Sequence, residues 1–262
     1  MHVYWLQQSE ANLPATDDWL CANEALRLSS FRIAKRRADW RLGRWTAKCA
    51  VAASLQLPDD HASLQQIEIV PASTGHPEVV LHHRTETVTI SISHSGGLAL
   101  CAVALGDVKL GCDLEMIEPR SPAFIADYFT EKEQQLIAQT GGAERSLLVS
   151  LLWSAKESAL KALHVGLRAD ARSVEVNQLD LQGHWYGRTN TRCTEDSLPS
   201  ELPNVFGTDW RTLHIQCTGG TDFCGWWQRG NNAVRTIVGS APPEPPEEHD
   251  GEPGLPHELQ VG

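Results

Sequence analysis

From Val88 to Glu115 the chain runs through three apolar stretches separated by glycine turns, and no other stretch limits its fold so tightly. Val88-Thr89-Ile90-Ser91-Ile92-Ser93 alternates apolar and hydroxyl residues, the period of a strand with one packed face and one polar face. Gly96-Gly97 then turns the chain into Leu98–Leu105, an apolar run typical of a central strand covered on both sides. Gly106-Asp107 turns it again, into Val108–Glu115. Three strands joined by short glycine turns predict an antiparallel meander.

Around this sheet the periodicity predicts helices. Ala25–Leu55 reads as helical with a break near Ser29-Ser30, Thr130–Gln139 opens on a capping-box pattern of Thr130 and Glu133, and Ala143–His164 is long. Later strands are expected at Ser173–Asn177, Gly183–Tyr186, Leu213–Gln216 and Thr221–Gln228. The 262 residues suit one large domain or two lobes of roughly 120 residues each.

Composition excludes several classes. No apolar run is long enough to span a bilayer, and the N-terminus lacks a basic stretch followed by an apolar one, so neither a membrane span nor a secretory leader is expected. Seven scattered cysteines, never spaced as CxxC, argue against a disulfide framework or structural zinc and for a cytoplasmic location. The net charge of −11 is concentrated at the end: Ser240–Gly262 holds six acids, no Lys or Arg and six prolines, a composition that predicts a disordered tail. The remaining 27 acids against 22 bases describe a mildly acidic body, unlike a nucleic-acid binder.

Two stretches carry candidate chemistry. In Gly111-Cys112-Asp113-Leu114-Glu115, strand alternation puts Asp113 and Glu115 on one face and Cys112 and Leu114 on the other. Paired carboxylates suit Mg²⁺, although a solvated strand end gives the same pattern. In Trp153–Lys161, Glu157 and Lys161 lie four apart on a helix whose polar stripe either lines a site or is an exposed edge. Upstream, Arg37, Arg41, Arg44 and Lys48 form one stripe at helical spacing, where like charges repel unless an anion offsets them. Ser93-His94-Ser95 ends a strand before two glycines, where hydroxyls and backbone N–H groups can hold phosphate.

Taken in order, these motifs resemble those of the larger, two-lobed (surfactin-synthetase-activating) class of 4′-phosphopantetheinyl transferases. Ile92-Ser93-His94-Ser95 is similar to the family's (V/I)SHS strand end, Gly111–Glu115 to G(V/I)DxE, Tyr128–Glu133 to FFxxxE, and Trp153–Lys161 to (W/F)xxKExxxK. The resemblance covers roughly residues 30–170. It implies an α+β fold of two pseudo-symmetric lobes, each a small antiparallel sheet packed with a long helix, with coenzyme A between them. The lobes would be residues 1–110 (nucleotide and phosphate contacts) and 111–239 (metal ligands and catalytic helix), followed by the 240–262 tail.

The implied activity is Mg²⁺-dependent transfer of 4′-phosphopantetheine from coenzyme A to a serine of an apo acyl or peptidyl carrier protein, releasing adenosine 3′,5′-bisphosphate, by a monomer. The resemblance assigns Asp113, Glu115 and Glu157 to the metal, and Asp113, Glu157 and Lys161 to catalysis, with Lys161 gripping the pyrophosphate. Ser93 and His94 would bind phosphates, and Gly75-His76-Pro77 would stand for the family's glycine-lysine-proline turn at the nucleotide. Lys35, Arg37 and Lys48 fall where the family places bases around the 3′-phosphate. Glu157, Glu133 or a metal-bound hydroxide would be the base. This chain departs from the pattern in three places: His76 replaces a lysine, which removes a permanent charge and would either weaken the nucleotide contact or make it pH-dependent, Tyr128 replaces a phenylalanine, and Cys112 replaces Val or Ile. Two rival readings use the same acids or groove: a non-catalytic carrier-protein or nucleotide-binding relative, and a Mg²⁺-dependent nucleotide phosphohydrolase.

Overall fold

At Gly96-Gly97 the backbone takes positive φ at both residues (59° and 76°), a conformation glycine adopts without steric cost. That turn joins β4 (Val88–Ser95) to β5 (Leu98–Leu105) in antiparallel register, with Ser93 opposite Leu100. The computed structural model describes residues 2–58, 60–81, 86–180, 185–186, 210–240 and 245–248. β1 (Tyr4–Ser9) pairs antiparallel with the other edge of β5. Across one face lies α2 (Ala34–Ser54), which follows α1 (Ala22–Ser30) after a break just past the expected serines. Ala47, Ala50 and Val51 of α2 are fully buried, and their small side chains let the helix approach Ile90, Cys101 and Val103 closely. α3 (His61–Gln65) leads into a separate hairpin, β2 (Ile67–Pro71) with β3 (Pro77–Leu81), whose tip carries Gly75.

The third strand of the expected meander goes elsewhere. β6 (Leu110–Met116) pairs with β11 (Ala233–Gly239), a strand absent from the sequence reading, so it begins a second sheet. That sheet runs β6, β11, β10 (Asp222–Arg229), β9 (Arg211–Cys217), β7 (Val174–Asp180) and β8 (Trp185–Tyr186), every pair antiparallel. β6 still lies against β4, joined by side chains: Cys112 N donates to Ser91 Oγ at 2.9 Å. The hydroxyl face of β4 therefore looks into the seam between the sheets rather than into solvent. Leu100, Ala102, Leu110, Cys112, Leu114 and Ile237 fill that seam, which is why β5 is apolar on both sides.

α4 (Pro122–Tyr128) and α5 (Glu131–Gln139) precede α6 (Gly142–Ala162), which packs on the second sheet as α2 packs on the first. Both long helices have 21 residues. Leu147, Leu148, Leu151 and Leu160 of α6 bury against Val174, Ile215 and Phe223, each contributing roughly 1.5–3 kcal/mol of burial. The fold is α+β, with a helix-backed antiparallel sheet on each side of the seam. Within the segment expected to be a disordered tail, Glu247–Glu248 form β12, parallel to Tyr4–Trp5, where Glu247 N donates to Val3 O at 3.0 Å. The open edge of β1 supplies the backbone partners that composition does not reveal; residues 241–244 and 249–262 lie outside the described residues, as do 183–184 of the expected strand at Gly183–Tyr186.

Candidate active site

β6 and α6 approach so closely that a Cβ on Gly111 would stand 1.8 Å from the carbonyl oxygen of Ser158. Only glycine allows that contact, and it brings the β6 carboxylates under the last two turns of α6. Lys161 Nζ lies 2.7 Å from Asp113 Oδ1, 3.0 Å from Cys112 O and 4.0 Å from Glu157 Oε2. Ser93 Oγ donates to the same Asp113 oxygen at 2.7 Å, so β4, β6 and α6 converge on one carboxylate that is 2% exposed. Asp113 Oδ2 is buried with no hydrogen-bond partner among the described residues.

The remaining acids are electrostatically strained. Burial, with the Asp113 charge added, pushes Glu157 up to about 7 against the opposing pull of Lys161 and Arg120. Glu115 is likewise pushed up to about 7 by burial and Asp113, although Arg120 Nη2 donates to it at 2.8 Å. Burial alone would lower Lys161, but Asp113, Cys112 and Glu157 together outweigh it and leave the ammonium above its ordinary value.

These are the acids expected to hold Mg²⁺. Lys161 stands between Asp113 and Glu157, and among the described residues no three His, Cys, Asp or Glu side chains are spaced as a ready-made metal site. The donor set nevertheless fits a hard cation: three carboxylates within mutual electrostatic reach, two of them raised, and one buried oxygen without a partner.

Two cavities flank the Gly75-His76-Pro77 turn and share Gly75, Pro77 and Ile92. One, of about 500 Å³, is lined by Lys161, His76, His164 and Arg168; the other, of about 540 Å³, by Arg27, Arg36, Arg44 and His94. The sequence reading named His76, His94 and Lys161, placed Arg44 in the basic stripe, and did not single out Arg27, Arg36, His164 or Arg168 as site residues. Helical phase explains Arg36 and Arg44. Arg36, Trp40, Gly43 and Arg44 share the face of α2 that looks into the cavity.

The expected stripe of Arg37, Arg41, Arg44 and Lys48 serves mainly another purpose. Lys48 is fully buried, donates to Trp19 O and Leu64 O at 3.1 Å, and pairs with Glu24 at 2.5 Å. Its assignment to a phosphate is therefore corrected: the ammonium is committed to the core, where burial lowers it and Glu24 opposes that shift. Arg41 binds the Asp17 carboxylate and Pro14 O. Those partners are the offsetting acceptors that the like-charged stripe required. Lys35 and Arg37 are exposed and do not line either cavity, because they lie on other faces of α2.

Glu133 is corrected in the same way. It closes the α5 capping box with Thr130, accepts from Val176 N at 3.0 Å and pairs with fully buried Lys156 at 2.8 Å. A carboxylate with every oxygen engaged in the core is a strut, not a base. Phe129 is fully buried beside it, while Tyr128 is partly exposed against Trp153.

Residues 109–213 match the model of the 4′-phosphopantetheinyl transferase superfamily. The chain is 25% identical over 173 residues to a 4′-phosphopantetheinyl transferase, HetI, of Nostoc sp., covering 65% of this chain and 70% of that one. It is 26% identical over 191 residues to the L-aminoadipate-semialdehyde dehydrogenase-phosphopantetheinyl transferase of Mus musculus (67% of this chain, 60% of that one). It is 36% identical over 89 residues to the holo-[acyl-carrier-protein] synthase of Geobacillus kaustophilus (34% and 62%). The chain thus spans less than two thirds of the length of the mouse and Geobacillus proteins. A crystal structure of Helicobacter pylori holo-[acyl-carrier-protein] synthase with coenzyme A aligns over 40% of this chain and 99% of that one, at 16% identity and a TM-score of 0.33. The matched stretch, residues 109–213, contains Asp113, Glu115, Glu157 and Lys161, and in it the chain is similar to the 4′-phosphopantetheinyl transferase superfamily.

Proposed function

We propose that the chain transfers the 4′-phosphopantetheine of coenzyme A to a serine hydroxyl of an apo acyl or peptidyl carrier protein, releasing adenosine 3′,5′-bisphosphate. The observation that carries this reading is the convergence of Ser93 and Lys161 on one oxygen of the buried Asp113 carboxylate, beside two cavities lined by five lysine and arginine side chains. A ligand with several phosphates suits both cavities, because each is lined by fixed positive charge near the Ser93–Ser95 strand end.

Lys161, held charged by Asp113, faces the cavity and stabilises negative charge on the pyrophosphate as its β-phosphate is attacked. Arg27, Arg36 and Arg44 hold the distal phosphate of the nucleotide. Glu157 is assigned as the base: its affinity for a proton near neutral pH suits it to accept one from the attacking serine. Mg²⁺ held by Asp113, Glu115 and Glu157 would supply Lewis-acid stabilisation of the phosphoryl oxygens. Catalysis is then chiefly positioning and electrostatics, as for other phosphoryl transfers.

Incubation with coenzyme A, Mg²⁺ and a panel of apo carrier proteins should add the mass of one phosphopantetheine to a carrier. No gain on any carrier, with release of nucleotide to water, would favour the phosphohydrolase reading instead; binding without either product would favour the non-catalytic one.

A further inference from the structure

In the lining of the 500 Å³ cavity the β2–β3 turn and the end of α6 meet through two histidines. The rings of His76 and His164 stack with centroids 3.5 Å apart and planes inclined by 13°. Arg168, just beyond, donates to Thr74 O and ties the same two segments together. His164 takes φ +57°, a left-handed conformation that residues with a Cβ seldom adopt and that persists where its surroundings over-determine it. Neither ring is used by the chemistry described above.

The charges facing the pair come from every element around it. His76 Nδ1 lies 2.5 Å from Thr74 Oγ1, and its Nε2 lies 3.7 Å from Glu78. His164 is acted on by Asp107 and Glu78 on one side and by Lys109 and His76 on the other, with Lys161 and Arg168 lining the same cavity. Burial, and then the neighbouring His76, push His164 below its ordinary value. Two imidazolium rings in face-to-face contact repel, so the stack itself opposes charge on both rings. A polyanion entering beside Lys161 and Arg168 reverses that balance, since nearby negative charge favours the charged imidazole.

We propose that the His76–His164 pair takes up a proton when a polyanionic nucleotide enters the cavity, so that pH sets the chain's affinity for its co-substrate. The inference rests on the coenzyme A reading above and adds to it a specificity device contributed by both lobes. A lysine at position 76 would carry a permanent charge and bind without such linkage.

Calorimetric titration of the full chain with adenosine 3′,5′-bisphosphate, without metal and in two buffers of different ionisation enthalpy, counts the protons bound. Wild type should take up close to one proton near pH 7.5, and its affinity should weaken by up to about tenfold per pH unit above the titration of the pair. His76→Lys should bring uptake near zero and flatten the pH profile. His164→Gly, whose φ suits glycine, should fold and also reduce uptake, since it removes one of the two rings that can accept the proton. Binding without uptake in wild type overturns the inference and leaves the coenzyme A reading standing. So does equal uptake in wild type and both variants, which would assign the proton to Glu115 or Glu157. Absence of binding overturns the coenzyme A reading and this inference with it.

Discussion

Lys161 Nζ sits 2.7 Å from Asp113 Oδ1, so a residue of the long helix α6 neutralises a residue of strand β6 that is almost wholly buried. The pair lies where the two sheets meet, and it links the chemistry to the stability of the seam. Breaking it from either side leaves a buried charge without its counter-ion. Lys161→Met should therefore lower stability by about 3–5 kcal/mol in a chemical denaturation curve as well as abolish transfer. A fully active or fully stable variant would refute the role given to the pair.

Glu157 offers a cleaner separation of catalysis from folding, since it is partly exposed and engages Lys161 only at 4.0 Å. Glu157→Gln should reduce transfer by at least about 10²-fold, the usual contribution of a positioned base, with little change in melting temperature. Retained activity would remove Glu157 from the mechanism. Glu133→Gln should do the opposite, destabilising the fold by leaving Lys156 buried and unpaired while the fraction that folds still turns over.

The raised carboxyls predict an unusual pH dependence. Glu115 and Glu157 hold their protons to about 7 in the fold, against an ordinary value of 4.5. Between those limits the folded chain binds protons that the unfolded chain has released, so stability falls as pH rises through the window. A cation bound by the same acids opposes that loss. Thermal melts should show Mg²⁺ raising the melting temperature at pH 8 and scarcely at pH 5; an equal shift at both, or none, would count against the metal assignment.

The bases of α2 divide into two groups with different expected phenotypes. Arg36→Ala should weaken adenosine 3′,5′-bisphosphate binding by about tenfold or more, the worth of one charge-assisted hydrogen bond, without loss of stability. Lys48→Met should destabilise by about 3–5 kcal/mol because buried Glu24 loses its closest counter-ion. Lys35→Ala and Arg37→Ala should stay within about 0.5 kcal/mol of wild type, as exposed substitutions usually do. Tight binding by Arg36→Ala would move the distal phosphate away from the second cavity.

Gly111→Ala tests the approach of β6 to α6 directly. Its methyl would meet the Ser158 carbonyl at 1.8 Å, and backbone on both sides leaves no flexible group to move. Loss of cooperative folding, or a melting temperature lowered by more than 10 °C, is the expected outcome; a near-wild-type melt would mean the two elements are not so tightly apposed.

Much of this was legible in the residues themselves. Local alternation and glycine turns specify β4 and β5, the Thr130–Glu133 capping box specifies the start of α5, and the spacing of Asp113 with Glu115 and of Glu157 with Lys161 sets which side chains share a face. Those are properties of neighbours in the chain, fixed by backbone period. Tertiary structure alone decided the rest. β6 left the meander because β11, more than a hundred residues later, took its hydrogen-bonding edge. Lys48 and Glu133 became core struts because Glu24 and Lys156 are buried opposite them, and burial makes a paired charge structural whatever motif it belongs to. The same helical stripe that reads as a phosphate grip packs largely on the N-terminal segment, whereas His164, unremarkable in sequence, is set against His76 by the fold. Which face of a helix meets solvent, a ligand or a buried acid is a relation between distant segments, and no local pattern encodes it.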